Sequence, residues 1–297
     1  MDWLRRDNEL HGFIGVPERA EGWLVSGNYY LNWFMGLKCA GDVLNAVSPI
    51  GKEPAKEITE AVAVVRAVRR LLLAGAGQGA GTKAAFEGMR GWELIDLCSG
   101  NALVPVLAAH LFPLKWSWAT DKRARKRPWQ GVKRFTYHTA ALDVSRYDFT
   151  LSGAMPTYGE RFVVTAVHPC GQLAYHVVRH FLADALCRHL VLMPCCADGE
   201  HHSYGFLDAK LDGYDRWCLA LCDMLADGGC VNVKAERDAH VLSRLNVLIT
   251  ASKSEHHGGI VVVEKRAEYG EAQPPGKIVV PEWMAVGVAP PRLLSVA

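Results

Sequence analysis

The chain has 297 residues, half of them apolar and 22% charged, the composition of a soluble globular protein. Its formal net charge of +2 is too small to imply a nucleic-acid partner by itself. Apolar runs are short, 61–65 being stopped by Arg66, which argues against a membrane span, and Met1-Asp2-Trp3-Leu4-Arg5-Arg6 runs into charge rather than an apolar leader. Nine cysteines scattered over so long a chain, with Cys187, Cys218 and Cys222 in apolar or helical segments, read as reduced thiols of a cytoplasmic protein rather than a disulfide framework.

Residues 1–50 are rich in aromatics (Trp3, Phe13, Trp23, Tyr29, Tyr30, Trp33, Phe34) and predict short helices without clean periodicity. The spacing of Ile58, Val62, Val65, Val68 and Leu72 predicts a helix over 53–74, with Pro54 in its first turn and Gly75 ending it. The glycine-rich stretch 75–81 has no phosphate-loop lysine and serine and reads as a linker. Residues 1–90 are thus expected to form a mostly helical extension to a domain over 91–297.

From residue 92 short apolar runs alternate with amphipathic segments. Strands are predicted at 93–97, 116–120, 134–138, 162–167, 189–193, 247–251 and 259–264, and helices at 102–112, 171–186, 213–227 and 235–244. The alternation predicts an α/β fold with a doubly wound, mainly parallel seven-stranded sheet. Only Ser252 to Gly258 separates the last two strands, too short for a crossover, so they are expected to close the sheet as an antiparallel β-hairpin.

Ligands of such sheets bind at the carboxyl ends of the strands, near the switch in strand order. The first strand ends in Asp96-Leu97-Cys98-Ser99-Gly100-Asn101-Ala102, an acid followed by small residues that let the main chain approach a ligand closely. The second ends at Asp121, 25 positions after Asp96. An acid there suits two ribose hydroxyls at once, the contact that dehydrogenases of this fold make. The nicotinamide alternative lacks its Gly-x-Gly-x-x-Gly fingerprint, since Gly100 stands alone. The fourth strand ends at His168-Pro169-Cys170-Gly171 and the fifth at Pro194-Cys195-Cys196.

The acidic, glycine-containing loop resembles motif I of class I S-adenosylmethionine-dependent methyltransferases, with Cys98 and Ala102 where glycine is usual. The His-x-Cys-Gly element and the cysteine pair, with Arg244-Leu245-Asn246 later, resemble one branch of them. That branch is the methyltransferase-domain family including eukaryotic tRNA acceptor-stem ribose methyltransferases, and the likeness covers roughly 92–265. The zinc-binding modules that accompany those enzymes are absent. The resemblance implies S-adenosylmethionine as cofactor, held by Asp96, Cys98, Ser99, Gly100, Asn101, Ala102, Asp121 and His168. It also implies that Asp143 faces the adenine, although a solvated loop aspartate is an equal reading.

His168 is the candidate general base, since imidazole titrates near neutrality and a hydroxyl acceptor must lose a proton. Cys170 stands beside it. Cys195, Cys196 and His201 are candidate substrate contacts, the last in the polar loop 198–204. The cysteines either line a close-packed pocket or join His168, His201 and His202 at a metal; the spacing is not that of a zinc ribbon. His256 and His257 read as solvent-exposed.

Residues 115–134 hold eight lysines and arginines against the single acid Asp121, with Trp116, Trp118 and Trp129 interleaved. Arg123, Arg125 and Lys126 are candidate contacts to RNA, by phosphate neutralisation with stacking aromatics. The alternative is a solvated helix with tryptophans packed inward. Three functional readings stand: an RNA-directed methyltransferase, a small-molecule or protein methyltransferase with the aromatic N-terminal segment as lid, and a non-catalytic binding or scaffolding protein of the same fold.

Overall fold

The computed structural model describes residues 27–74, 82–123, 126–138, 143–145, 150–151, 161–195 and 213–254. Seven strands form one sheet: β1 (Trp92–Leu97), β2 (Trp116–Thr120), β3 (Phe135–His138), β4 (Arg161–Val167), β5 (Cys187–Met193), β6 (Cys230–Arg237) and β7 (Val247–Lys253). Their order is β3-β2-β1-β4-β5-β7-β6. β1 to β5 pair in parallel, and β7 runs antiparallel to both β5 and β6. Strand order reverses between β1 and β4, which opens a crevice at their carboxyl ends.

Side-chain alternation along the strands feeds two cores. Leu94, Val163 and Val191 face one layer, made of α1 (Tyr29–Met35), α2 (Ala40–Val47), α3 (Pro54–Ala74) and α5 (Leu103–Leu111). Ile95, Leu97, Val164, Leu190 and Leu192 face the other, made of α6 (Gln172–Ala183) and α7 (Gly213–Asp227). A short helix, α4 (Thr82–Gly88), precedes β1.

Helix α3 is central to the site. Residues 58–65 are buried all round, because α3 lies between the sheet and α1 and α5. Asn28 caps α1, its Oδ1 accepting from the backbone N–H of Tyr30 and Leu31. The turn after β6 is tied to this layer: Tyr30 donates to Asp238 at 2.5 Å, and the Leu242 N–H donates to Thr59 Oγ1 at 3.1 Å.

Two expectations are corrected. The stretch 235–244 is not a helix; it begins as the end of β6 and continues as turns. The seven-stranded, mainly parallel sheet does close on an antiparallel hairpin as expected, but the partner of β7 in it is β6, and 259–264 lies outside the described residues. Gly228-Gly229, with Gly229 at φ +80°, turns the chain straight from α7 into an extended strand. β7 then takes both its hydrogen-bonding neighbours, β5 and β6. The basic stretch holds no α-helix among its described residues either: it contains β2 and, further on, a 3₁₀ turn over Trp129–Gly131. No described helix is long and apolar enough to cross a membrane.

Candidate active site at the carboxyl edge of the sheet

Asp96 ends β1 and is 2% exposed. Both its oxygens accept hydroxyls, Oδ1 from Thr165 at 2.6 Å and Oδ2 from Ser99 at 2.5 Å. Burial pushes its carboxyl up to about 7, against the pull of those two hydrogen bonds and with a smaller upward push from the charge of Asp121. The loop that follows passes through the left-handed region three times, at Cys98 (φ +56°), Gly100 (φ +53°) and Ala102 (φ +63°). Thus Cys98 and Ala102 adopt the backbone that glycine would take at no steric cost, at a cost of about 1 kcal/mol each. The Ser99 N–H donates to the Thr120 carbonyl at 2.9 Å and the Ala102 N–H to the Ser99 carbonyl at 2.8 Å, which holds the turn. A Cβ on Gly100 would meet nothing within 4 Å, so the loop faces open space there.

Asp121 joins this loop to the next, accepting from the Gly100 N–H at 3.0 Å and the Arg123 N–H at 2.8 Å. Asn101 is held from two sides: its Nδ2 donates to Glu57 Oε2 at 3.3 Å, and its Oδ1 accepts from Arg127 Nη2 at 3.3 Å.

His168 follows β4 in a left-handed conformation, φ +52°, and its N–H donates to the Met193 carbonyl at 2.8 Å. Its Nε2 lies 2.6 Å from Glu60 Oε1. The Glu60 side chain is 3% exposed and has a second partner in Lys56 Nζ at 3.7 Å. A cavity of about 380 Å³ lies among Glu57, Glu60, Asp96, Cys98, Gly100 and His168. That is in the size range of small-molecule sites. Glu57 and Glu60 were not singled out in the sequence. The signal for Glu60 is an acid set directly against the run Ala61-Val62-Ala63-Val64-Val65, where burial demands a partner.

The other candidates sort by position. Cys98 is held as a neutral thiol, pushed up to about 12 by burial and by the nearby Asp121 and Asp96. Cys170 is exposed; its Sγ lies 3.4 Å from the His168 carbonyl and 3.0 Å from the Sγ of buried Cys195. Asp143 lies near Cys98 but is committed to Lys122 at 2.8 Å and to Ser145 Oγ at 2.6 Å, which holds its carboxyl down at about 2. Arg123 and Lys126 are exposed on the loop beyond Asp121. Arg125, Cys196, His201 and His202 lie outside the described residues. Among the described residues no group of three or more His, Cys, Asp or Glu is placed to hold a metal.

The tryptophans of the basic stretch are packed inward, which removes the stacking half of the RNA expectation. Trp118 is 5% exposed and donates to Glu93 at 2.7 Å; Trp129 is 9% exposed and stacks on Tyr137 at 4.1 Å. Trp116 donates to Thr136 Oγ1 at 3.0 Å. Arg134 is also structural, its guanidinium donating to the carbonyls of Leu114 (3.0 Å) and Ala109 (3.1 Å).

Residues 117–199 match a family model described as a methyltransferase domain. No curated protein matches the chain. Among solved structures, the chain is similar to the antibiotic-resistance methyltransferase Kmr, with 18% identity over 59% of this chain and 95% of that one, at a TM-score of 0.37. It is also similar to the S-adenosylmethionine-dependent methyltransferase SibL in its apo form, at 12% identity over 72% and 74% of the two chains, with a TM-score of 0.36. A third is the 16S rRNA methyltransferase KamB, at 16% identity over 58% and 94%, with a TM-score of 0.34.

Proposed function

We propose that the chain is an S-adenosylmethionine-dependent methyltransferase acting on a hydroxyl, with RNA as the acceptor class. The observation that carries this reading is one cavity shared by the left-handed loop 98–102, the buried Asp96 and the Glu60-held His168. The residues fit the cofactor: Asp121 keeps lone pairs for ribose hydroxyls beyond its two backbone contacts, and Asp96 offers a carboxylate to an ammonium. Bound there, S-adenosylmethionine would supply a methyl group already activated as a sulfonium.

The chain's own residues then have two tasks. The loop and Asp121 orient, which is the larger part of catalysis for a displacement on an activated group. Glu60 occupies Nε2 and balances the imidazolium charge, which leaves Nδ1, buried and without a hydrogen-bond partner among the described residues, as the nitrogen of His168 that takes the acceptor's proton. Such a pair suits any acceptor with a proton to lose, and among these the resemblance to ribose methyltransferases selects the hydroxyl. Arg123 and Lys126, exposed beyond Asp121, favour a polyanionic acceptor through phosphate contacts alone.

Calorimetry with S-adenosylmethionine, followed by transfer of labelled methyl groups into a fractionated lysate, tests both parts. Binding heat and label in the RNA fraction are expected. An absence of heat at millimolar ligand would sink the enzyme reading; label in protein or small molecules would replace RNA as acceptor.

A further inference from the structure

We infer that Cys170 and Cys195 form a reversible intramolecular disulfide, a modification site that clamps the turn carrying His168. The two sulfurs lie 3.0 Å apart across the carboxyl ends of β4 and β5, within about 1 Å of the disulfide bond length. They are unequal in access. Cys170 is the only exposed cysteine among the described residues, whereas Cys195 is 6% exposed. An oxidant therefore meets Cys170 first, and Cys195 is in place behind it to resolve the product.

With hydrogen peroxide as the oxidant, the Cys170 thiolate sulfur attacks one peroxide oxygen. The O–O bond breaks, a sulfenic acid forms and the other oxygen leaves as water after taking up a proton. The Cys195 sulfur then attacks the Cys170 sulfur, the S–O bond breaks, and the departing hydroxide takes the Cys195 proton as a second water. Two thiols are oxidised by two electrons and one peroxide is reduced. A dithiol reductant reverses the step by thiol–disulfide exchange.

The remaining described thiols do not compete. Burial raises Cys39, Cys98, Cys187, Cys218, Cys222 and Cys230 away from the thiolate form. Closing the bond would also draw the Cys170 sulfur toward β5, in a turn whose His168 and Gly171 both hold left-handed φ values, +52° and +54°. The turn is consequently a place where a small pull is felt at His168.

The test is peptide mapping of the full chain after brief treatment with hydrogen peroxide. Two of the nine thiols should be lost, with a mass decrease of about 2 Da in a linked pair of peptides, restored by dithiothreitol. Cys195→Ser should leave Cys170 as a sulfenic or more oxidised acid, and Cys170→Ser, at the exposed position, should leave Cys195 reduced. Cys196→Ser should keep the linkage, which separates Cys195 from its neighbour. Linkage of Cys170 to Cys196, or a Cys170 that oxidises singly in the unmodified chain, would overturn the inference. The readout is mass, so it is independent of whether the chain transfers methyl groups.

Discussion

Glu60 and His168 stand 2.6 Å apart, carboxylate to imidazole, although they belong to a helix before the sheet and a turn after its fourth strand. Lys56 approaches the same carboxylate oxygen at 3.7 Å, one helical turn back. The buried acid thus bridges a lysine at the mouth of the cavity and a histidine in its wall.

If the pair acts as one unit, its members should not contribute independently. Glu60→Gln preserves the shape and loses the charge, and is expected to lower the turnover number about 100-fold. Cofactor affinity should stay within about three-fold of the unmodified chain, because the loop 98–102 and Asp121 are untouched. A Glu60→Gln/His168→Gln double variant should be no slower than the slower single. Fully additive losses, or a parallel collapse of cofactor binding, would make Glu60 a packing residue.

Asp96 imposes a pH dependence whose sign follows from its burial. Its carboxyl lies near 7 in the fold against an ordinary value of 3.8, so the native state keeps a proton that the unfolded chain gives up. The stabilisation is complete below about pH 4 and is lost as pH rises through 7. Urea titrations should show the unmodified chain losing roughly 3 kcal/mol relative to Asp96→Asn between pH 5 and pH 8. A cationic ligand beside Asp96 draws it into the charged form, so cofactor affinity should rise over the same range. A flat difference between the two proteins would disprove the assignment.

Charge at the loop beyond Asp121 separates RNA contact from structure. Replacing Arg123 and Lys126 by alanine should flatten the logarithmic salt dependence of RNA affinity by about 1.5. Arg134→Ala should leave that slope alone and cost about 1–3 kcal/mol of stability, since the carbonyls of Ala109 in the last turn of α5 and of Leu114 beyond it lose their donor. Equal slopes for all the proteins would place RNA elsewhere or nowhere.

Lys253 provides a stability control remote from the cavity. Its ammonium donates to the carbonyls of Phe181 (2.6 Å), Leu182 (3.0 Å) and Asp184 (2.7 Å) at the end of α6. Lys253→Met removes all three bonds, and a loss of about 3 kcal/mol is expected by denaturant titration. Binding at the cavity should be unchanged below the unfolding transition.

How much of this was written in the chain depends on how local each feature is. Short runs such as Leu94-Ile95 and Val163-Val164, alternating with longer amphipathic segments, make the parallel sheet legible, since run length and alternation together separate these strands from helices. The loop 96–102 and Asp121 are legible for the same reason: each is a residue type at a strand end. What sits beside a strand is not encoded locally. The helix-like stretch 235–244 yields to strand pairing because β7 takes a partner on each edge, and Trp118 and Trp129 spend their rings on Glu93 and Tyr137 rather than on a partner molecule. Glu60 meets His168 across 108 positions, and no periodicity reports on such a pair. The chain by itself determined the sheet and the loop that faces its crevice. Only the docking of α3 onto that sheet decided which side chains close the cavity, because burying an acid requires a partner and the tertiary structure chooses it.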